Sequence, residues 1–227
     1  MMKSVSGLLM TSMLLATTVL LSLPAGAAGA WRSLLEEQSA PAWRGWKGPG
    51  LPAGWHVAGG VLSKEGPVDD LVTNERFGDF ELELDWKVGR EGNSGIFYRG
   101  TPEYDHIYWS GPEYQLLDDE NAPDGKNRLT AAGSAYGLYP SPAGVVHPHD
   151  HWNHSRLIVK GTHVEHWLNG RKVVEYELQS ADWKQRVAAS KFAKYPQYGL
   201  AATGMIGLQG DHPGVLAIRR IRVRDLN

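Results

Sequence analysis

The segment FELELDWKV, Phe80–Val88, contains the clearest structural pattern in this sequence. Every second residue from Phe80 to Val88 is apolar, and the residues between them carry carboxylates or an amine. Side chains of a β-strand point alternately to its two faces, so this period of two indicates a strand with one face in a core and the other in solvent. The fold is therefore expected to be built from strands of this kind.

Further short strands are expected along the chain, separated by turns that are rich in glycine and proline. They are SGIFYRG (94–100), EYQLLD (113–118), SRLIVKG (155–161), HVEHWLNG (163–170), RKVVEYEL (171–178), GMIGLQG (204–210) and VLAIRRIRVRDL (215–226). The first is interpreted as the hairpin partner of Phe80–Val88, and 155–178 as a meander. Asn169-Gly170 is expected to form a type I′ turn, because both residues tolerate a positive φ. Many short antiparallel strands predict an all-β sandwich or barrel.

Two segments have helical character, RSLLEEQ (32–38) and SADWKQRVAASKFA (180–193). In the second segment Ser180 is expected to cap the helix, and Trp183 and Val187 would form its apolar side. The sequence shows no internal repeat and no linker. Residues 31–227 are therefore expected to form one domain.

The first 28 residues have the features of a cleavable secretory signal. Lys3 supplies the positive charge, an apolar run extends from Leu8 to Leu23, and Ala25-Gly26-Ala27 offers small residues for cleavage. A membrane anchor is the alternative, but the run is shorter than the ~20 apolar residues that span a bilayer. The chain has no cysteine, which excludes disulfides and lipid attachment through cysteine. Export to the periplasm or the extracellular space is expected, with no membrane span after cleavage.

The charge distribution argues against binding to nucleic acid. The formal net charge is -2 and the two signs are interspersed, whereas nucleic-acid-binding proteins present a clustered basic face. Nine tryptophans and nine tyrosines are suited to a β-sandwich core, and some of them could stack on sugar rings. We expect a monomer.

Four segments in order resemble a known bacterial family, that of the secreted 3-keto-disaccharide hydrolase domains. They are FGDFELELDWKVGREGNSGIFYRG, GPEYQLLDDENAPDGKN, WNHSRLIVKGTHVEHWLNGRKVVEYEL and IGLQGDHPGVLAIRRIRVRDL. The resemblance implies a concanavalin A-like jelly-roll sandwich with a sugar-sized groove on its concave sheet. It also implies action on oxidised glycosides that carry a ketone at C3. The turn at 209–214 is longer than is usual in the family, and Arg219-Arg220 replaces the usual Arg-Asn pair.

A ketone at C3 makes the C2 proton acidic, so a base can remove it and the C1 substituent can leave by elimination. Addition of water would then complete a net hydrolysis. This route needs a base, a stabiliser of the ketone oxygen and a proton donor to the leaving oxygen. Two other readings stay open: a non-catalytic, lectin-like carbohydrate-binding module, and a protein–protein interaction domain.

Glu113 and Gln115 alternate with Tyr114 and Leu116 along one strand. The apolar pair fits a core, so Glu113 and Gln115 are expected to face the groove. Arg99, at the end of the preceding strand, is expected either to orient Glu113, to hold a substrate oxygen or to form a salt bridge at the rim.

Histidine is the natural acid or base near neutral pH. The candidate catalytic residues are Glu113, His212, His166 and His106, and the candidate substrate-binding residues are Arg99, Gln115, Asn93 and Trp109. His166 shares a strand face with apolar neighbours, so a buried structural histidine is its alternative. His212 lies in a turn between glycines that could reach a groove, and His106 precedes the Glu113 strand in a loop that also contains Trp109.

A metal site is left open, and no cofactor is expected beyond a possible divalent metal ion. His147, His149 and His151 alternate in HPHDH, and imidazoles on one face can hold zinc or copper. The acidic loop 118–125 resembles a calcium loop only in composition, because it lacks the required spacing of ligands. No glycine-rich dinucleotide motif follows a strand. The expected partner is an oxidised glycoside, with no nucleic acid.

Overall fold

The computed structural model describes Met1 and residues 29–226, and the predicted signal sequence lies outside the described residues. The strands are β1 (Arg32–Ser33), β2 (Trp43–Gly45), β3 (Trp55–Ala58), β4 (Val61–Glu65), β5 (Leu71–Thr73), β6 (Phe80–Val88), β7 (Asn93–Gly100), β8 (Glu113–Leu117), β9 (Asn153–Lys160), β10 (His163–Leu168), β11 (Arg171–Glu177), β12 (Met205–Leu208) and β13 (Val215–Asp225). Helix α1 spans Ala181–Ala188, and short 3₁₀ segments span Ile107–Trp109, Pro123–Lys126 and Lys191–Lys194.

Two antiparallel sheets form the sandwich. The eight-stranded sheet has the order β11-β10-β9-β6-β13-β4-β3, with β1 paired to β13, and the five-stranded sheet has the order β2-β5-β12-β7-β8. The predicted jelly-roll sandwich is confirmed. Within the described residues, no helix is long and apolar enough to cross a membrane.

The predicted hairpin between β6 and β7 is wrong, because the two strands belong to different sheets. Strand β6 pairs with β9 and β13, so both of its edges are occupied within the eight-stranded sheet. Glu91 has φ 58° and Gly92 follows it, and the chain crosses there to the other sheet. Strand β7 then pairs with β8 and β12.

The interior is formed by the apolar faces of both sheets. Trp86 of β6 donates its indole N–H to Ser155 Oγ at 2.8 Å, and Ser155 in turn donates to the hydroxyl of Tyr114 at 2.8 Å. Tyr114 and Leu116 of β8 belong to this core, as predicted. The side chains on either side of them therefore point to the opposite, outer face of the five-stranded sheet.

The outer face of β6 is less open to solvent than its charge pattern predicts. Asp85 is 2% exposed because Arg219, Arg220 and His154 surround its carboxylate. Arg220 has φ 52° at a bulge in β13, and this backbone conformation lets two consecutive arginines reach the same carboxylate. Buried carboxylates need such partners.

The local turn and helix predictions had mixed outcomes. Asn169 and Gly170 both have positive φ, 49° and 80°, and join β10 to β11 as expected. Ser180 caps α1 by accepting a hydrogen bond from the Trp183 N–H at 3.1 Å, although α1 ends well before residue 193. The helix predicted at 32–38 is wrong. The segment instead begins with β1, and Leu34 donates its N–H to Ile221 O at 3.0 Å, which places the Leu34 side chain in the core.

Candidate active site

A polar cavity of about 320 Å³ opens on the outer face of the five-stranded sheet, and we call it the Glu113 pocket. Strands β7 and β8 form its floor, and the segments around residues 191–195 and 209–212 form its walls. Its lining residues are Asn93, Tyr108, Glu113, Gln115, Tyr136, Lys191, Phe192, Lys194, Tyr195, Gln209, Asp211 and His212. A larger cavity of about 430 Å³ lies on the other sheet, but its carboxylates already pair with arginines, so it lacks a free acid or base.

Glu113 lies on the floor of this pocket and is 7% exposed. Burial is the main cause that raises the pKa of its carboxyl to about 8, and the nearby charges of Asp70, Asp211 and Asp124 raise it further. The ammonium of Lys191 acts in the opposite direction. At neutral pH the group is therefore mainly a neutral acid that can exchange a proton near pH 8.

Gly95 makes room for this carboxyl on the neighbouring strand. A Cβ added at Gly95 would lie 2.0 Å from Glu113 Oε1, far inside a normal van der Waals contact. Glycine is the residue without that atom, so its presence in a strand here has a direct structural reason.

An amide row extends from Glu113 toward the pocket wall. The amide of Gln115 fits in two orientations: its nitrogen donates either to Asn93 Oδ1 at 3.1 Å, or, when the amide is turned over, to Glu113 Oε1 at 3.2 Å and Ser94 O at 3.1 Å. Asn93 Nδ2 donates to Asp124 Oδ2 at 3.5 Å, and the Tyr136 hydroxyl donates to the same oxygen at 3.3 Å. The row is thus fixed by neighbours and presents donors and acceptors of the kind that sugar hydroxyls require.

His212 lies in the pocket wall on the turn between β12 and β13. Lys64, which is 1% exposed, joins this turn to the end of β4. Its ammonium donates to the carbonyls of His212 and Gly214 in the turn at 2.7 and 3.4 Å, and to Gly66 O after β4 at 3.0 Å. Asp70 accepts the Gly210 N–H at 2.7 Å on the other side of the turn, and burial raises the pKa of Asp70 to about 6. The turn therefore has fixed supports.

The sequence pattern does not single out Lys64, Asp70, Lys191 or Tyr136. Lys64 shares a strand face with the buried Leu62, where a lysine is not expected, and Lys191 falls in a segment that looks like the end of a helix. Their roles depend on contacts between segments far apart in the chain, which no local motif encodes.

His166 is not part of the Glu113 pocket. It is fully buried between the sheets, where its ring lies 4.6 Å from that of Tyr114 and its Nδ1 lies 3.0 Å from Gly133 O. Burial lowers the pKa of His166 to about 4, which keeps the ring neutral. The structural alternative is therefore the one that the geometry supports, and a catalytic role for His166 has no geometric basis.

Arg99 lies away from Glu113, and of the three alternatives left open for it the geometry supports the salt bridge. Its guanidinium donates to Gly78 O at 3.1 and 3.3 Å and pairs with Asp79 Oδ1 at 3.3 Å. Arg99 has φ 52°, so the backbone at the end of β7 departs from strand geometry and the side chain no longer follows the expected alternation.

His106 and Trp109 lie beside the pocket instead of within it. The exposed ring of His106 stacks on Tyr108 with 5.0 Å between ring centres. Trp109 stacks on Tyr195 at 5.4 Å. Tyr108 and Tyr195 line the Glu113 pocket, so the loop reaches its rim through these two tyrosines.

The three alternating histidines do not converge on one point. Each ring bonds locally: His147 Nδ1 lies 2.9 Å from Trp152 O, His149 Nδ1 2.9 Å from Asp150 Oδ2, and His151 Nδ1 3.0 Å from His149 O. Their arrangement therefore does not support the metal site that the sequence left open here.

One group in the described part of the chain has its potential metal ligands close together, namely His163, Glu165 and Glu175 on β10 and β11. Lys172 Nζ already bonds to Glu165 at 3.3 Å and to Glu175 at 2.7 Å. The side-chain ammonium of Lys172 therefore lies where a metal ion would bind. In the acidic loop, Asp118 bonds to the Glu91 N–H at 2.9 Å, which gives Asp118 a structural role.

Comparisons with known proteins agree with the fold. Residues 30–224 match the family described as the 3-keto-alpha-glucoside-1,2-lyase-like domain. A protein of Bacteroides thetaiotaomicron named 3-keto-disaccharide hydrolase is 34% identical over 240 residues, covering 91% of this chain and 82% of the relative. The match therefore extends over nearly the whole described chain.

Solved structures give the same result. A crystal structure of a Parabacteroides distasonis protein, provisionally assigned as a glycosyl hydrolase, has a TM-score of 0.81 and 33% identity, covering 88% of this chain and 94% of that one. A family GH16 endo-beta-1,3(4)-glucanase has a TM-score of 0.53 at 11% identity, covering 88% of this chain and 91% of that one, which shows a shared fold alone. With the match over residues 30–224, this chain belongs to the 3-keto-alpha-glucoside-1,2-lyase-like domain family, built on a jelly-roll sandwich.

Proposed function

We propose that this chain is a carbohydrate-active enzyme that cleaves 3-keto-glycosides in the Glu113 pocket by elimination followed by hydration. The observation that supports this most is the nearly buried Glu113 carboxyl, whose pKa is raised to about 8. A base is most effective when its pKa lies near the working pH. The names of the family and of its Bacteroides relative describe the two halves of this chemistry, a 1,2-lyase and a hydrolase.

Glu113 acts as the base in the first step. Its carboxylate removes the proton at C2, the C–H electrons form a C2–C3 double bond, and the ketone oxygen becomes an enolate. Lys191 lines the same pocket and its charge already acts on Glu113, so its ammonium can stabilise that oxygen. At pH 7 about one molecule in ten carries Glu113 as the carboxylate.

The enolate then reforms the ketone, and its electrons move to a C1–C2 double bond as the C1–O bond breaks. The leaving oxygen takes a proton, for which His212 in the pocket wall is the proposed donor. Water adds across the double bond, with hydrogen to C2 and hydroxyl to C1. The sum of these steps is hydrolysis. Asn93 and Gln115 bind the hydroxyls of the ring during the reaction.

Export belongs to the same proposal. We propose that the leader at residues 1–28 is cleaved during export, and that the mature monomer acts on oxidised glycosides outside the cytoplasm. Sequencing the N-terminus of the purified protein from its native host checks cleavage, and an intact leader would contradict it.

The test compares a 3-keto-disaccharide with its unoxidised parent, with and without chelator, for the wild type, Glu113→Gln and Glu175→Gln. Glu175 is an exposed glutamate on the other sheet, so Glu175→Gln is the matched control. We expect conversion of the keto-sugar alone, loss in Glu113→Gln and wild-type rates in the control. Equal conversion of the parent would refute keto-dependent chemistry, and binding without turnover of either sugar would favour the lectin-like alternative.

A further inference from the structure

A second cavity of about 410 Å³ adjoins the Glu113 pocket. We call it the aromatic shelf; it is lined by Tyr104, Trp109, Lys194, Tyr195, Pro196 and Gln197. We propose that the aromatic shelf binds the leaving group of the substrate, and that it selects an aryl aglycone over a second sugar. This inference rests on the proposed function, because it assigns the second half of the same substrate.

The shelf is continuous with the proposed reaction site. Lys194 and Tyr195 line both cavities. A polar cavity of about 360 Å³ also borders the Glu113 pocket, through Asn93 and His212, but no Trp, Tyr or Phe lines it. We therefore assign an aryl leaving group to the shelf, on the side of residues 194–195. The remaining lining residues of the shelf lie outside the Glu113 pocket, so they can contact only the part of a substrate beyond the keto-sugar.

The shelf is fixed before any ligand binds. Trp109 and Tyr195 stack with their ring centres 5.4 Å apart and their planes 20° apart. The loop that carries Trp109 is tied to the following segment, because Gly199 donates its N–H to Ser110 O at 2.8 Å. Ile107, at the other end of the Trp109 turn, is fully buried. A preformed ring surface binds a flat ligand with little loss of conformational entropy.

The composition of the shelf favours an aryl ring over a sugar. Three aromatic rings and a proline ring line it, while its other two residues are Lys194 and Gln197. A pyranose has hydroxyl groups around its ring, and each one that loses water without gaining a partner costs binding free energy. An aryl ring has no such groups and gains from contact with the three aromatic rings of the shelf.

The positive charge of Lys194 also favours phenols as leaving groups. Its Nζ lies 5.1 Å from the centre of the Tyr195 ring, at the boundary between the two cavities. When the C1–O bond breaks, an aryl leaving group departs as a phenolate, and an ammonium ion at this boundary stabilises that negative charge. A sugar alkoxide is far more basic and needs a full proton donor instead.

The experiment uses three substrates with the same keto-sugar: a 4-nitrophenyl 3-keto-glucoside, a 3-keto-disaccharide and a methyl 3-keto-glucoside. The variants are Trp109→Ala and Tyr104→Ala, both in the shelf alone. Trp152→Ala is the matched control, because Trp152 is also half-buried but packs on Arg219 of the other sheet. Calorimetric binding of 4-nitrophenol and of glucose to each protein supplies a readout without turnover.

We expect the shelf variants to lose about tenfold or more in kcat/KM for the aryl substrate relative to the methyl substrate, and to weaken 4-nitrophenol binding. The control should show neither effect. Equal losses for all three substrates would overturn the proposal, and so would a larger loss for the disaccharide, which would make the shelf a sugar subsite. If the wild type turns over none of them, the proposed function fails, and 4-nitrophenol binding alone decides whether the shelf takes aryl rings.

Discussion

The raised pKa of Glu113 has a consequence for stability that can be measured without any substrate. Its carboxyl has a pKa of about 8 in the folded protein, against 4.5 for an ordinary glutamate. The folded state therefore binds this proton more tightly than the unfolded chain. The free energy of unfolding should fall as the pH rises from about 4.5 to about 8, because the unfolded chain ionises its carboxyl there first.

The size of the effect follows from the two pKa values. One pKa unit corresponds to about 1.4 kcal/mol, so the cost at pH well above 8 is about 4–5 kcal/mol, and about 3 kcal/mol of it develops between pH 5 and pH 8. Glu113→Gln keeps the shape of the side chain and removes the titration. The variant should therefore match the wild type near pH 5 and exceed it in stability by about 3 kcal/mol at pH 8.

Urea unfolding of the wild type, Glu113→Gln and the Glu175→Gln control at each pH from 5 to 9 measures this difference. The control should follow the wild type, since Glu175 is on the exposed face of the other sheet. If the stability difference between Glu113→Gln and the wild type is the same at every pH, the carboxyl titrates normally in the folded protein. The argument for Glu113 as a base with a raised pKa would then fail.

The other expected outcomes concern residues around the pocket and in the core. Gly95→Ala places a Cβ 2.0 Å from Glu113 Oε1, so turnover should fall at least about tenfold with an unchanged circular dichroism spectrum; wild-type turnover would contradict this. Lys64→Met leaves the carbonyls of Gly66 and His212 without the Lys64 donor, whereas Gly214 O keeps the Gly66 N–H at 3.1 Å; the variant should lower the free energy of unfolding by about 2–4 kcal/mol in urea, and a loss below about 1 kcal/mol would refute this role of Lys64. His166, with a pKa of about 4 against 6.5 when unfolded, should make the wild type lose stability as the pH falls from 6.5 to 4; His166→Phe should reduce that slope, and an equal slope would show that the ring titrates normally.

The features that the sequence predicts correctly are those set by neighbouring residues. The alternation of β6 and the Asn169-Gly170 turn each depend on a few consecutive positions. The outward direction of Glu113 follows from the burial of Tyr114 beside it. These features need no knowledge of the partner strands, because side-chain direction in a strand has a fixed period.

The wrong predictions concern features that depend on which strand a segment pairs with or which sheet it packs against. Strand β7 follows β6 after a short turn, yet β6 is already paired on both edges, and the sequence of the turn does not reveal this. Arg99 and His166 have residue types suited to a site, but their positions are set by a left-handed backbone residue and by packing against the facing sheet. The support that Lys64 gives to the turn at residue 212 links segments about 148 positions apart.

The buried carboxylates of Asp85, on the eight-stranded sheet, and Glu113, on the five-stranded sheet, have pKa values shifted in opposite directions. This contrast distinguishes a structural acid from the proposed catalytic one. Burial alone would raise the pKa of Asp85, but hydrogen bonds from His154, Arg220 and Arg219 lower it, so Asp85 stabilises the fold above its pKa and loses this contribution in acid. Glu113 is also nearly buried, and Lys191 is the cation that acts on it. Its neutral, protonated form therefore stabilises the fold, and this stabilisation is lost as the pH rises through about 8. The stability of the wild type should therefore be greatest at mildly acidic pH, and Glu113→Gln should move that maximum to higher pH. The loss of stability on ionisation and the proposed catalytic role of Glu113 have the same cause. Burial opposes the negative charge, and the same burial makes the carboxylate a stronger base.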